Sequence, residues 1–125
     1  MKTLEVLKKY YGYDTFRPGQ EEIINEILSG RDVLGIMPTG GGKSICYQVP
    51  ALLLEGTTIV ISPLISLMKD QVDTLKEYGI KAELINSTLT TTEFRKIISH
   101  VAEGKCKILY VAPERLETES FIELL

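Results

Sequence analysis

At 125 residues, 44% of them hydrophobic, the chain amounts to one domain or part of one and can bury a core without any Trp. Its net charge of −3 gives no global electrostatic footprint for nucleic acid, although a groove can be basic on an acidic protein. No secretory signal follows Met1-Lys2-Thr3 and no apolar run approaches transmembrane length, so a cytoplasmic protein with no membrane partner is expected.

Residues 1–30 read as a helical segment. Its second helix carries the apolar stripe Ile23, Ile24, Ile27 and Leu28 and stops at Gly30. Residues 31–125 read as an α/β core. Four β-branched, apolar runs, Val33–Met37, Thr57–Ile61, Ala82–Ile85 and Lys107–Val111, predict strands covered on both faces, because they are continuous rather than alternating. Between them lie helical stripes. Leu64, Leu67, Met68, Val72, Leu75 and Tyr78 share one face with Lys69, Asp73 and Lys76 opposite, before Gly79. Phe94, Ile97, Ile98 and Val101 form the next stripe and stop at Gly104, with His100 roughly opposite as a solvated side chain. The order α-α-β-α-β-α-β-α-β predicts a parallel sheet sandwiched by helices. Cys46 and Cys106 lack metal-ligand spacing and read as buried, reduced thiols.

The run Val33–Met37 leads into Pro38-Thr39-Gly40-Gly41-Gly42-Lys43-Ser44, and a helix follows. Glycines in that position let backbone N–H groups turn inward around a phosphate. Lys43 supplies a positive charge, and the Ser44 hydroxyl can ligate Mg²⁺. The helix N-terminus adds its dipole to the same pocket. Met37 stands where the usual pattern opens with Gly; the plain alternative is a glycine-rich turn with an incidental lysine.

Binding phosphates is not hydrolysing them. Phosphoryl transfer needs an Asp at the end of a second strand to anchor Mg²⁺. None of Asp14, Asp32, Asp70 and Asp73 follows an apolar run, and the nearest imitation, Ile108–Glu114, has Ala112 in that place. Glu114 is the one alternative carboxylate. The sequence is therefore expected to end before the strand that carries the acid.

Taken in order, these segments resemble the first RecA-like domain of superfamily 2 helicases, and closely that of the RecQ family of DNA helicases. The likeness runs over nearly the whole chain. Tyr11–Gln20 is similar to the family's motif 0, and Met37–Ser44 to motif I, which also lacks the first glycine. Cys46-Tyr47-Gln48-Val49-Pro50 continues that pattern. Ile61–Gln71 is similar to motif Ia and Tyr110–Leu116 to motif Ib, with Leu84–Thr88 between them. The resemblance implies a P-loop NTPase fold that binds ATP and Mg²⁺. Tyr13 and Arg17 would flank adenine and Gln20 would bond its edge, while Thr39, Gly40, Gly41, Gly42, Lys43 and Ser44 hold the phosphates. An amide can donate and accept at once, which matches an adenine edge, and Tyr and Arg planes can stack on a base. The bland alternative is a helix-start turn with Gln20 filling a polar gap.

Ser62 and Pro63 end the second strand, and Pro113, Glu114 and Arg115 follow the fourth. Ligands of open α/β sheets gather at the carboxyl ends of strands. By the resemblance, Ser62, Pro63, Glu114 and Arg115 would meet the backbone of single-stranded or duplex DNA; otherwise they are strand-to-helix punctuation. The implied activity is ATP-dependent, 3′-to-5′ DNA unwinding in recombination and repair, by a longer parent. Two rivals are kept. A small nucleotide kinase would need an Arg-rich lid, against arginines only at 17, 31, 95 and 115. A nucleotide-binding fragment without turnover is the expectation for these 125 residues alone. Apolar surface left without cover would favour self-association.

Overall fold

The isoleucine stripe of residues 23–28 is stable only if another element covers it. The computed structural model describes residues 2–37, 42–86 and 88–114, and the chain divides into two compact units, Met1–Glu55 and Gly56–Leu125. In the first, α1 (Thr3–Val6) runs into a π-helical turn, Leu7–Tyr11, and is followed by α2 (Gln20–Leu28) and α3 (Lys43–Leu53). α3 packs on both α1 and α2. Val6, Ile24 and Val49, one from each helix, form the buried centre, and Tyr10, Tyr11, Phe16, Leu28, Ile45 and Leu52 close around it.

The second unit holds β1 (Thr58–Ile61), α4 (Ile65–Glu77), β2 (Ala82–Ile85), α5 (Thr91–Ala102) and β3 (Ile108–Val111). The strands form a parallel sheet in the order β1-β3-β2. Parallel neighbours need a long connection, which α4 and α5 supply. β3 enters between the other two, with Leu109 facing Ile59 of β1 and Glu83 of β2 in register. It is buried along its whole length, whereas the edge strand β1 is half-buried and exposed at Ile61. Full burial on both faces, predicted for every strand, therefore holds only for the central one.

On one face Ile85, Leu109 and Val111 pack with Phe94, Ile97 and Cys106. α4, which also packs on β2, buries Met68, Val72 and Leu75. Leu64, Leu67 and Tyr78, assigned to the same stripe, are exposed. A helix crossing a strand at one side buries a narrower strip than its apolar residues could cover. Cys46 and Cys106 are buried free thiols, as expected. No described helix is long and apolar enough to cross a membrane.

Two readings need correction. Val33–Met37 is not a strand: residues 31–37 are irregular, and Leu34 and Ile36 are each 88% exposed. A strand exists only as a paired object. Every described element of the first unit is helical, so no edge there offers this run a ladder. The run instead crosses α2, where a Cβ on Gly35 would lie 3.0 Å from Ile23 Cδ1. His100 is not simply solvated either. Its side chain is 34% exposed and its Nδ1 lies 3.6 Å from Glu83 Oε1. Glu83 projects from the half-buried edge strand β2 on which α5 packs, and so reaches it.

α5 starts at a capping box the sequence reading passed over. Thr90 Oγ1 accepts the Glu93 N–H at 3.1 Å, and Glu93 Oε1 accepts the Thr90 N–H at 3.1 Å. Hydrogen bonding to the Glu93 carboxylate, by the Thr90 backbone N–H first and the Thr90 side chain second, holds that carboxyl below its usual range. A carboxylate with a lowered folded value adds stability that is complete above the unfolded value. That stability is lost as pH falls through the folded one. We expect Thr90→Ala to lower stability by about 1 kcal/mol. Thermal melts should show the wild-type advantage at neutral pH shrink under acid; an advantage that grows on acidification would contradict the box.

Candidate nucleotide-binding site

The first unit brings three of the predicted residues, Arg17, Gln20 and Gly42, together; Gln20 and Gly42 are 22 positions apart in sequence. Gly12, at φ 74, ends the π-helical turn, and Gly19, at φ 88, starts α2. Between them the chain makes a tight turn in which the Gln20 N–H donates to the Arg17 carbonyl at 3.2 Å. The Gln20 side chain returns the bond: its Oε1 accepts the Arg17 N–H at 2.8 Å. Its Nε2 donates to the Gly42 carbonyl at 3.1 Å. Gln20 is 2% exposed, so these bonds supply partners that water cannot.

Gly42 precedes α3 at φ 80, a left-handed conformation open to glycine. A Cβ there would collide with the Gln20 amide and come within 3.8 Å of Arg17 Cδ. The position thus needs glycine twice, for its backbone angle and for the amide beside it. Gly42 offers no side-chain cap, so the first N–H groups of α3 remain available to a ligand. Lys43, the first residue of α3, is exposed, and Ser44 is half-buried. One turn on, Cys46 Sγ donates to Met37 Sδ at 3.5 Å, joining the two ends of the loop. Burial raises that thiol's pKa, which keeps it neutral.

Tyr13 is 53% exposed and Arg17 is exposed. Thr39, Gly40 and Gly41 lie outside the described residues. A further contact escaped the sequence reading: Tyr11 Oη donates to Gln48 Oε1 at 2.7 Å and ties the π-helical turn to α3. A glutamine inside an otherwise apolar helix, among Cys46, Val49 and Ala51, was the available signal.

The second unit contributes the strand ends. The Ser62 N–H donates to Val111 at 3.3 Å and extends the β1–β3 ladder by one rung. Ser62 Oγ accepts the Leu64 N–H at 3.1 Å, just before α4. Pro63 and Glu114 are exposed, and Arg115 lies outside the described residues. Ala112, at the end of β3 where a metal-anchoring acid would stand, is wholly buried. Among the described residues no group of three or more His, Cys, Asp or Glu could hold a metal ion.

The chain is similar to known proteins. The family described as "DEAD/DEAH box helicase" matches residues 17–123. The chain is 52% identical to the ATP-dependent DNA helicase RecQ of Haemophilus influenzae, over 98% of its own length and 20% of that protein's. It is 54% identical to the RecQ of Pasteurella multocida over 98% of its length and 19% of the relative's. Against the RecQ of Bacillus subtilis the identity is 55%, over 96% and 20%. The chain therefore spans about a fifth of the length of these relatives.

Proposed function

This chain belongs to the DEAD/DEAH box helicase family, and on that premise we propose that it is the ATP-binding front segment of a RecQ-type, ATP-dependent DNA helicase. The parent couples ATP hydrolysis to 3′-to-5′ unwinding of DNA in recombination and repair, in the cytoplasm. The observation that carries this reading is the convergence of Arg17 and Gln20 on Gly42 at the uncapped start of α3. Within the chain, residues 1–30 carry the base-reading motif and residues 31–125 the P-loop core.

The residues fit an adenine nucleotide with Mg²⁺. Arg17 and Tyr13 offer planes for the base, and Gln20 a donor and an acceptor for its edge. By the motif, Thr39 to Gly42 and the N–H groups at the start of α3 would hold the phosphates, with Lys43 supplying a positive charge. Ser44 would supply a hydroxyl ligand for Mg²⁺. Mg²⁺ would offset phosphate charge when bound, and within this chain Lys43 adds a point charge. Ser62, Pro63 and Glu114 follow the strand ends and Arg115 comes next in sequence; hydroxyl and guanidinium groups suit a sugar-phosphate backbone bound without reading sequence.

The described strands lack the metal-anchoring Asp, so the 125-residue chain is expected to bind ATP and turn none over. ATPase assays with and without single-stranded DNA should remain at background. Turnover that Lys43→Ala abolishes would instead make Glu114 the active carboxylate. In the longer parent, Lys43→Ala should remove ATPase and unwinding and leave DNA binding nearly intact, as gel-shift titration would show.

Gln20→Ala in the parent should raise KM for ATP and narrow the preference for ATP over GTP. Competition kinetics between the two nucleotides measure this, and an unchanged preference would return the turn at Arg17–Gln20 to a purely structural role.

We also propose that the isolated chain self-associates. Leu34, Ile36, Ile61, Leu64 and Leu67 are exposed, and β1 has an open edge. Sedimentation velocity at low and high micromolar concentration should show the weight-average mass rising; a constant monomer would refute it.

A further inference from the structure

Tyr11 lies one residue before the glycine that opens the base-binding turn, and its phenol is bonded to α3 rather than to the turn itself. We propose that Tyr11 is a positioning residue for base stacking: through Gln48 it fixes where the chain leaves the π-helical turn, and so where Tyr13 stands. This deepens the nucleotide-site reading and rests on it.

The turn has glycine at both ends, Gly12 at φ 74 and Gly19 at φ 88. Glycine lets a chain pivot, so the position of Tyr13 depends on what holds the residues around it. On the far side Phe16 packs against the core of Val6, Ile24 and Val49, and the Arg17 N–H is bonded to Gln20. On the near side the Gly12 N–H donates to the Lys8 carbonyl at 3.2 Å, and the Tyr11 ring packs on the same core. Apolar packing is non-directional, whereas a hydrogen bond fixes a direction. The bond from Tyr11 Oη to Gln48 Oε1, at 2.7 Å, supplies that direction.

Gln48 is a firm point of attachment. It is 4% exposed, in the body of α3 and next to the core residue Val49. Tyr13, 53% exposed, has no comparable packing to hold its ring. Stacking depends on the relative orientation of two planes, so a turn that swings stacks for only part of the time. Apparent affinity then falls by the fraction of time the stacking arrangement is present. Every base has a π-face, so adenine and guanine lose alike. A ligand without a base does not meet Tyr13 and loses nothing. The rare π-helical geometry, which recurs at functional sites, ends here on the residue that makes the bond.

Tyr11→Phe keeps the ring and removes the hydroxyl. Calorimetric titration of wild type and variant should show affinity for ATP and for GTP falling equally, by about fivefold, the size of one hydrogen bond. Affinity for inorganic tripolyphosphate, which has phosphates and no base, should not change. Gln48→Met should reproduce this pattern, and the double variant should lose no more than either single one, because both remove the same bond. Equal loss for all three ligands, or no loss for any, overturns the proposal and leaves the nucleotide-site reading intact. A cooperatively folded wild type that binds ATP no tighter than tripolyphosphate overturns both.

If the variants fail to melt cooperatively, hydrogen exchange on wild type decides. ATP should slow exchange of the Gly12 amide, at the pivot of the turn, and tripolyphosphate should not. A Gly12 amide that responds to neither ligand, or to both alike, overturns the positioning role.

Discussion

A single left-handed glycine governs how this site is assembled. At Gly42 the chain must turn from a loop into α3 with φ at 80, and it does so against the amide of Gln20 rather than under a capping side chain. Any Cβ at this point would strain the backbone and displace that amide. The start of α3, the exposure of Lys43 and the half-buried Ser44 all follow from this turn. So does the placing of Arg17, whose backbone is bonded to Gln20 and whose side chain runs beside Gly42. The helical core of Val6, Ile24 and Val49 holds α2 and α3 at the separation the contact needs.

The second unit applies a different constraint. Its strands are parallel, so every connection must be a helix, and every strand must end at the same side of the sheet. This gathers Ser62, Asn86 and Ala112, residues far apart in sequence, along one rim. The Ser62 and Ala112 N–H groups each donate a ladder bond beyond their strands, to the Val111 and Ile85 carbonyls. Asn86 folds back instead, with Oδ1 accepting both the backbone N–H and the hydroxyl of Thr88. The described polar groups of Ser62 and Asn86 on this rim are hydrogen-bonded, and Pro63 and Glu114 beside them are exposed.

Local chemistry made much of this legible in the sequence. Gly79 and Gly104 stop α4 and α5 where predicted, because a positive φ at a helix end is a local property. The strands Thr58–Ile61, Ala82–Ile85 and Ile108–Val111 lie within a residue of their predicted bounds, since β-branched runs favour extended backbone wherever they pair. The helix read after the glycine-rich run is present, as α3 beginning at Lys43. The Thr90–Glu93 box was equally local and could have been found from its spacing alone.

What the sequence left open depends on partners remote along the chain. Val33–Met37 has strand-like composition, but extended backbone becomes a strand only beside another edge, and the helices of its own unit provide none. Strand order had the same character: nothing in the run Ile108–Val111 says that it enters between β1 and β2 rather than beside them. His100 was assigned to solvent by its helical face, yet Glu83 on a neighbouring strand engages it. The sequence could place Gln20 on the buried side of α2, because that follows from helical periodicity. Which carbonyl its amide would meet was decided only when α2 and α3 packed, since a side chain's partner is fixed by three-dimensional distance, and here 22 residues separate the two ends of one hydrogen bond.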